Sequence, residues 1–572
     1  MKLNLFANPQ NPGLPGVPRW LELGLLVLLL AAIAVPRMAA LGRFVTADEP
    51  TWGKRAASFY FALTERDYAA TYQTGHPGVT TMWAGAAAYA LRFPKYQNVG
   101  QLSIGDSKLF DLFQRHGINP LELLATARLL IAVTVTLTLF ASFFFARQII
   151  GMWTALLGFF LIAFEPMDVA HSRLLHTNGL VSAFTFFSLL TFIYYLRKRK
   201  LYALLLSGGA AGLGFATVTP GFVLVPAIIV LNVLDLSSYR TAEGRLDLKR
   251  FGMNVIAPLA IWGATSLMVL FLIWPAMWVD PAGTFTKMVN FTLNATEGGS
   301  GGAEFVAAYN SEYDPSAKYF YFYPLTYLWR STPIVLAGLL LAGVILISRR
   351  RKRIDANVLR NIYDLLIFVV VFTLVMSLGT KKFDRYYLPV YLAFDLVAAL
   401  GWLLSAEWLV EKFKRLRRVH LTVVAGVLMI LAQIVPVVQN YPYYLTYYNP
   451  LLGGLNNAPQ AMMVGWGEGL NDAALFLQKQ PDIGHKKIIA WYPLAFTWYS
   501  LGLGIQADPI DISPEADAAT MAEYLSADYA VTYVNELQRD MPKQLLDYLA
   551  TKKPIYTVKI HGMDFAWVYK LK

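Results

Sequence analysis

The chain contains no cysteine among its 572 residues. That excludes disulfides, thiolate metal sites and cysteine nucleophiles. It is also poor in charge: only 15% of residues are Asp, Glu, Lys or Arg, where globular chains carry about 25%. Its C-terminal portion shows no phosphate loop, no Gly-x-Gly-x-x-Gly and no metal-ligand spacing, so nucleotide and metal chemistry find no motif there. No internal repeat of the kind that builds many transporters stands out.

What fills the chain instead is apolar sequence. Hydrophobic residues make up 56%, mean hydropathy is +0.44, and apolar runs recur as far as about Val438. A run of about 20 apolar residues spans the hydrocarbon core as a helix. The first, Trp20 to about Leu41, is too long for a signal-peptide core and lacks a small-residue cleavage site, so it reads as an uncleaved span. Length and hydropathy predict about eleven transmembrane helices, at 20–41, 123–146, 152–167, 178–196, 201–218, 221–236, 254–275, 331–348, 361–379, 387–404 and 420–438. The fifth and sixth are the weakest, because Gly221 and Pro226 interrupt the latter and only Thr217 to Pro220 separate the two.

The net charge of +12 is not a nucleic-acid signal, because the basic residues lie in short loops between spans. Arg197 to Lys200, Arg349 to Arg353, and Lys412, Lys414, Arg415, Arg417 and Arg418 each follow a span. Clusters of this kind mark cytoplasmic loops. With Lys2 and Arg19 inside, the same count puts 43–122, 168–177, 276–330, 380–386 and everything after 439 outside. The expected localisation is therefore the cell membrane, multi-pass, with a cytoplasmic N-terminus. The expected fold is a polytopic α-helical membrane domain over 1–438, with large outer loops at 43–122 and 276–330. A small extracytoplasmic α/β domain follows over 439–572, because helices (471–479, 541–550) there alternate with strands (487–491, 530–534, then a closing pair at 555–560 and 565–570).

The outer side is where polar residues gather. Just after the first span come Asp48-Glu49-Pro50. As an N-cap and a first-turn proline these could simply open a helix. A carboxylate at the headgroup level, kept ionised by the helix dipole and by Lys54 or Arg55, could equally act as a general base. Later in the same loop, His76-Pro77-Gly78 precedes Val79 to Phe93, which is short for a span and suits an interfacial or re-entrant helix with His76 as cap and Pro77 in its first position. Between the third and fourth spans, Glu165 to Asn178 packs Glu165, Asp168, His171, Arg173 and His176 into one turn. Such polar groups are either a hydrogen-bonded structural turn or functional, and two histidines five apart make a poor metal pair. Lys381-Lys382-Phe383-Asp384-Arg385-Tyr386 carries three cations on the side where the chain otherwise avoids them. They form either a snorkelling anchor or a phosphate site built from a point charge and a bidentate fork. In a helical turn Lys381 and Arg385 would share a face and Lys382 would point away. Tyr309, Tyr313, Tyr319, Tyr321, Tyr323 and Tyr327, after the glycine-rich stretch 298–302, are either an interfacial aromatic belt or a carbohydrate surface.

In order, the acidic pair, the His-Pro motif, the Ser172-Arg173-Leu174 turn and the Lys382-x-x-Arg385-Tyr386-x-Leu388-Pro389 segment resemble the protein O-mannosyltransferases and lipid A aminoarabinose transferases. These are membrane glycosyltransferases of the C-type fold, also called family 39. Asp48 through Trp83, and Tyr443 to Gly454 followed by Gly465-Trp466-Gly467-Glu468-Gly469, look closest to a bacterial branch. The resemblance implies a polyprenyl-phosphate sugar donor, an acceptor hydroxyl on a protein, lipid or glycan, and transfer with inversion outside the cytoplasm. It places Asp48 at the base position and Glu49 beside it, and assigns Lys381, Lys382 and Arg385 to the donor phosphate. His76, Glu165, Asp168, Arg173, His176, Asn178 and Tyr386 become candidate substrate-binding residues. Two departures stand out: the family commonly has His-Pro-Pro where this chain has His76-Pro77-Gly78, and often Asp where it has Asn178. The leaving phosphate is already a good leaving group, so neither a cofactor nor a divalent metal is expected. The competing classes are a flippase of a lipid-linked sugar, which would not need so long a first outer loop, and a non-catalytic receptor, which leaves the acidic pair unexplained.

Overall fold

A computed structural model describes residues 18–240, 244–297, 320–379, 382–412, 418–511, 513, 515–538 and 541–572. Lys381, the stretch 298–302, Tyr309, Tyr313, Tyr319 and most of the third basic cluster lie outside the described residues.

Each of the eleven predicted apolar segments is helical, and the protein is a multi-pass helical membrane protein. Among the described residues six helices are long and apolar enough to cross a bilayer alone: Arg19–Met38, Pro120–Ile149, Thr177–Lys198, Leu248–Ile273, Ala356–Leu378 and Asp384–Leu409. Four are shorter, at Met152–Ala163, Leu201–Thr217, Thr219–Leu234 and Pro333–Ile347. Val423–Gln439 is followed, after a bend of 108°, by Tyr444–Leu452. At about 1.5 Å per residue a 12-residue helix reaches little more than half the hydrocarbon core, so length alone does not fix the number of spans. Position in the bundle follows burial. In Thr177–Lys198, 94% of the most apolar window is buried inside the protein, against 28% in Arg19–Met38 and 22% in Leu248–Ile273. The former is the core of the bundle, and the latter two present leucines such as Leu23, Leu28, Leu267 and Leu272 to lipid.

The two ends of the bundle have different chemistry. At one end Arg197 pairs with Asp364, and both Arg199 and Arg360 pair with Asp235, so the loop bearing Arg197–Lys200 lies with Asp235 and with the first turns of the helix Ala356–Leu378. At the other end, helices Glu49–Thr64 and Val79–Arg92 pack on each other so closely that a Cβ on Gly85 would sit 2.4 Å from that of Ala56. The second of these helices begins two residues later than the sequence implies. Its N-cap is Gly78 in the left-handed region (φ 62°), not His76, and Pro77 precedes the helix. Gly78 donates its N–H to Thr217 O (2.9 Å), and a Cβ there would strike the Trp52 ring at 2.1 Å. A second proline has no N–H to give and too much bulk, which explains the departure from His-Pro-Pro.

After the last apolar helix comes a five-stranded mixed sheet of order β2-β1-β3-β5-β4. The strands are β1 (Ile488–Ala490), β2 (Asp508–Pro509), β3 (Tyr529–Tyr533), β4 (Tyr556–Ile560) and β5 (Met563–Lys570). Strands β2, β1 and β3 run parallel, and β5 pairs antiparallel with both β3 and β4. Phe476, on the helix Leu470–Gln478, stacks on Tyr556 at 4.4 Å. The short β2 and the helices Pro493–Ser500 and Ala518–Ser526 were not anticipated from sequence. The first of these helices ties the sheet to the rest: buried Trp498 lies edge-on to Phe113 (5.6 Å) and fills the space above Gly53.

Candidate active site

Asp48 is the N-cap of helix Glu49–Thr64, yet its side chain makes no capping hydrogen bond. It turns instead towards two residues far away in sequence: Oδ2 lies 3.3 Å from His176 Nε2 and 3.3 Å from Arg385 Nη2. The carboxylate is 41% exposed, so a substrate hydroxyl can reach it. His176 is buried, edge-on to the Trp52 and Trp466 rings. Burial, together with nearby Arg385, outweighs Asp48 and lowers its pKa, so at neutral pH it is an uncharged imidazole orienting the carboxylate through a hydrogen bond.

Glu49, the next residue, has a different fate. It is fully buried and receives Arg128 through two nitrogens, together with Thr46 N (3.0 Å), Thr46 Oγ1 (2.9 Å) and Leu175 N (2.8 Å). Burial raises its pKa, but Arg128 and these hydrogen bonds prevail and hold it below the usual carboxylate range. All of its acceptor capacity is used in joining the loop at 46–49 to helix Pro120–Ile149 and to the turn at Leu175. Geometry thus makes Glu49 an anchor, and leaves Asp48 as the reachable carboxylate of the pair.

Arg385 connects Asp48 to a cleft of about 710 Å3, open mouth included. The cleft is lined by His171, Arg330, Lys382, Asp384, Arg385, Trp466, Glu468 and Tyr492, among others. The guanidinium of Arg385 stacks on Phe383 (4.1 Å) and Trp466 (4.7 Å). Asp384–Tyr387 is a 3-10 turn rather than an α-helical one, and Lys382 lies before it. Lys382 therefore faces the same cleft as Arg385, contrary to the helical-face expectation. Arg330 was missed from sequence. It pairs with Asp384 (3.1 Å), donates to Leu445 O (2.7 Å) and Tyr447 O (3.2 Å), and lies over Tyr448. Its only sequence signal was a further cation at the end of an outer loop.

The turn 165–178 is largely structural. Asp168 receives Arg37 (2.6 Å) at the end of the first span, and Arg173 donates to Pro36 O (3.1 Å) and Ala39 O. Gln433 approaches Glu165 at 3.4 Å. Asn178 is buried, with neither amide atom hydrogen-bonded among the described residues. His171 reaches the cleft, and burial holds it well below the usual imidazole range. His76 lies apart from the cleft lining, against Thr219 (3.3 Å) and Phe291, and Tyr386 packs on Phe383. Among the described residues no group of three His, Asp or Glu converges to hold a metal ion.

Helical spans closed at one end by a loop-built cleft, with a mixed sheet packed beside it, make this a multi-pass membrane protein whose polar site lies at one end of the bundle. Residues 123–275 match the family model described as dolichyl-phosphate-mannose-protein mannosyltransferase. That segment is similar to the family; the rest of the chain lies outside the match. The match includes the turn 165–178 but neither Asp48 nor Arg385. Among solved structures, ArnT from Cupriavidus metallidurans bound to undecaprenyl phosphate is 14% identical, with 96% of this chain and 98% of that one covered and a TM-score of 0.44. AglB from Archaeoglobus fulgidus, in complex with an inhibitory peptide and a dolichol-phosphate, is 13% identical over 91% of this chain and 70% of its own, with a TM-score of 0.48. The Pmt1-Pmt2 complex of S. cerevisiae bound to the sugar donor is 18% identical over 47% and 34%, with a TM-score of 0.35. Likenesses at these scores transfer no residue roles. No curated protein matches the sequence significantly.

Proposed function

We propose that this protein transfers a sugar from a polyprenyl-phosphate donor to an acceptor hydroxyl, with inversion, on the outer face of the membrane. The observation that carries the reading is the contact between the reachable carboxylate of Asp48 and Arg385, whose guanidinium lines a cleft shared with Lys382. The family model's dolichyl-phosphate-mannose supports a lipid-phosphate donor. In this mechanism the lipid tail stays in the bilayer and its phosphate meets Lys382 and Arg385. Asp48 takes the proton of the acceptor hydroxyl as its oxygen attacks the anomeric carbon. The bond from that carbon to the phosphate oxygen breaks, and its electron pair leaves on the polyprenyl phosphate. The fixed cations stabilise that charge, a contribution of several kcal/mol where water is excluded.

The acceptor is a protein, lipid or glycan hydroxyl. The polar ends of the spans suit a flippase as well, but flipping needs no carboxylate held ready beside a phosphate site. Purified protein incubated with a panel of polyprenyl-phosphate sugars and scored for released polyprenyl phosphate tests the proposal. Release coupled to acceptor glycosylation is expected. Movement of intact donor across proteoliposomes without release would replace the transferase with a transporter.

A further inference from the structure

Glu468 lies in the run Gly465-Trp466-Gly467-Glu468-Gly469, and the reaction described above does not use it. Its side chain is 99% buried, and it lines the cleft. One carboxyl oxygen is fixed: Oε2 accepts from Trp466 N (2.7 Å) and Tyr533 Oη (3.1 Å). The other, Oε1, is buried with no hydrogen-bond partner among the described residues. A buried carboxyl oxygen left unsatisfied costs free energy unless something donates to it. Burial raises the Glu468 pKa, while Arg330 and these hydrogen bonds act against that rise.

The backbone around it is built for this placement. Gly467 has φ 122°, and a Cβ there would meet Val45 O at 2.3 Å, so only glycine lets the loop lie on the chain leading to Asp48. The Ala47 N–H donates to Trp466 O (2.9 Å), which locks the two loops together. Trp466 then presents its indole to Arg385, His171 and His176. The cleft therefore holds an aromatic ring beside a carboxyl with a spare acceptor, with Arg385 against that same ring and Lys382 also in the lining. An aromatic face with a carboxyl acceptor suits a polyhydroxylated ring, whose C–H face packs on the indole while a hydroxyl donates to the carboxyl.

We infer that Glu468 and Trp466 form the subsite for the donor's sugar ring, with a sugar hydroxyl donating to Glu468 Oε1. The inference rests on the proposed donor chemistry and adds to it that the segment following the last span supplies the sugar's recognition. A buried carboxyl here disfavours an acidic sugar and accepts a neutral one.

The test is binding of decaprenyl phosphate, bare or carrying mannose, glucose or arabinose, to the full-length protein in detergent. The sugar the wild type binds tightest is then used with Glu468→Gln and Glu468→Ala. A Tyr533→Phe variant serves as control, since it removes a support of the loop while keeping the carboxyl. Glu468→Ala should lose about tenfold or more in affinity for the sugar phosphate, with bare decaprenyl phosphate bound as before, and Glu468→Gln should recover part of the loss. Equal losses for both ligands in Glu468→Ala, or a loss in Tyr533→Phe as large as in Glu468→Ala, would reduce Glu468 to a prop for the loop and overturn the subsite. A wild type that binds the bare phosphate but no sugar-bearing form more tightly also overturns it. A wild type that binds neither form overturns the donor reading itself.

Discussion

Two adjacent acids should behave as opposites. Replacing Glu49 with Gln removes one charge from a pair buried on both sides, Arg128 being 1% exposed and Glu49 0%. The guanidinium then stays in a dry interior without its counter-charge, and breaking a buried pair from one side costs about 3–5 kcal/mol. Glutamine keeps only one oxygen, so either the two Thr46 donors, which share Oε2, or Leu175 N, which donates to Oε1, loses its acceptor as well. Asp48→Asn touches a side chain that is 41% exposed, and an exposed pair contributes about 0–1 kcal/mol. The helix start is indifferent to the change, because Asp48 makes no side-chain cap. Transfer is another matter: an amide takes no proton, and loss of a general base costs about 10² to 10⁴ in rate. Thermal unfolding of the purified variants followed by tryptophan fluorescence, with polyprenyl-phosphate release measured on the folded fraction, reads both quantities. Glu49→Gln should melt early, and Asp48→Asn should melt normally and turn over little. A stable, inactive Glu49→Gln beside a fully active Asp48→Asn would show that the roles had been assigned to the wrong residues.

Lys382→Ala and Arg385→Ala should each weaken donor binding about ten- to a hundredfold by titration with a short-chain polyprenyl-phosphate sugar, since each removes a charged hydrogen bond. Arg385→Ala should also lower the rate because it touches Asp48, and unchanged affinity in the double variant would leave the segment as an interfacial anchor. Protease added to intact cells should remove the segment after Gln439, since the basic clusters then fall inside. Protection of that segment with exposure of Arg349–Arg353 would invert the topology. Burial lowers the pKa of His171 and His176 from 6.5, helped at His171 by Arg385 and Arg330. Below pH 6.5 the unfolded chain therefore binds more protons than the folded one, so stability present above that pH should fall as acid is added. Glu468, with its raised pKa, works in the opposite sense, so the measurement is the difference between wild type and His171→Gln from pH 7.5 to 5.5. A wild-type loss no steeper than the variant's would remove His171 from the account.

The sequence by itself determined the membrane architecture and singled out the acidic pair at 48–49. Apolar runs are local signals, because a bilayer selects each span on its own length and composition, and every predicted run is a helix. The strand pair at 555–570 was legible for a similar reason, since β4 and β5 are neighbours in the chain. The rest depended on contacts between distant residues. Nothing near Asp48 or Glu49 in sequence says that one meets His176 and Arg385 and the other Arg128. Those partners are 79 to 337 positions away, and only packing makes them neighbours. Lys382 was assigned the wrong direction because periodicity assumes an α-helix, and a 3-10 turn follows it. The start of the helix at Val79 was set by Trp52 and Thr217, which exclude a side chain and require an N–H at Gly78. The same holds for Glu468. Its glycine-rich setting was visible, but its place beside Asp48 follows from the loop 465–469 lying on the loop 44–48. Local sequence decides which segments fold and where they reside, and tertiary packing decides which of their charges face one another.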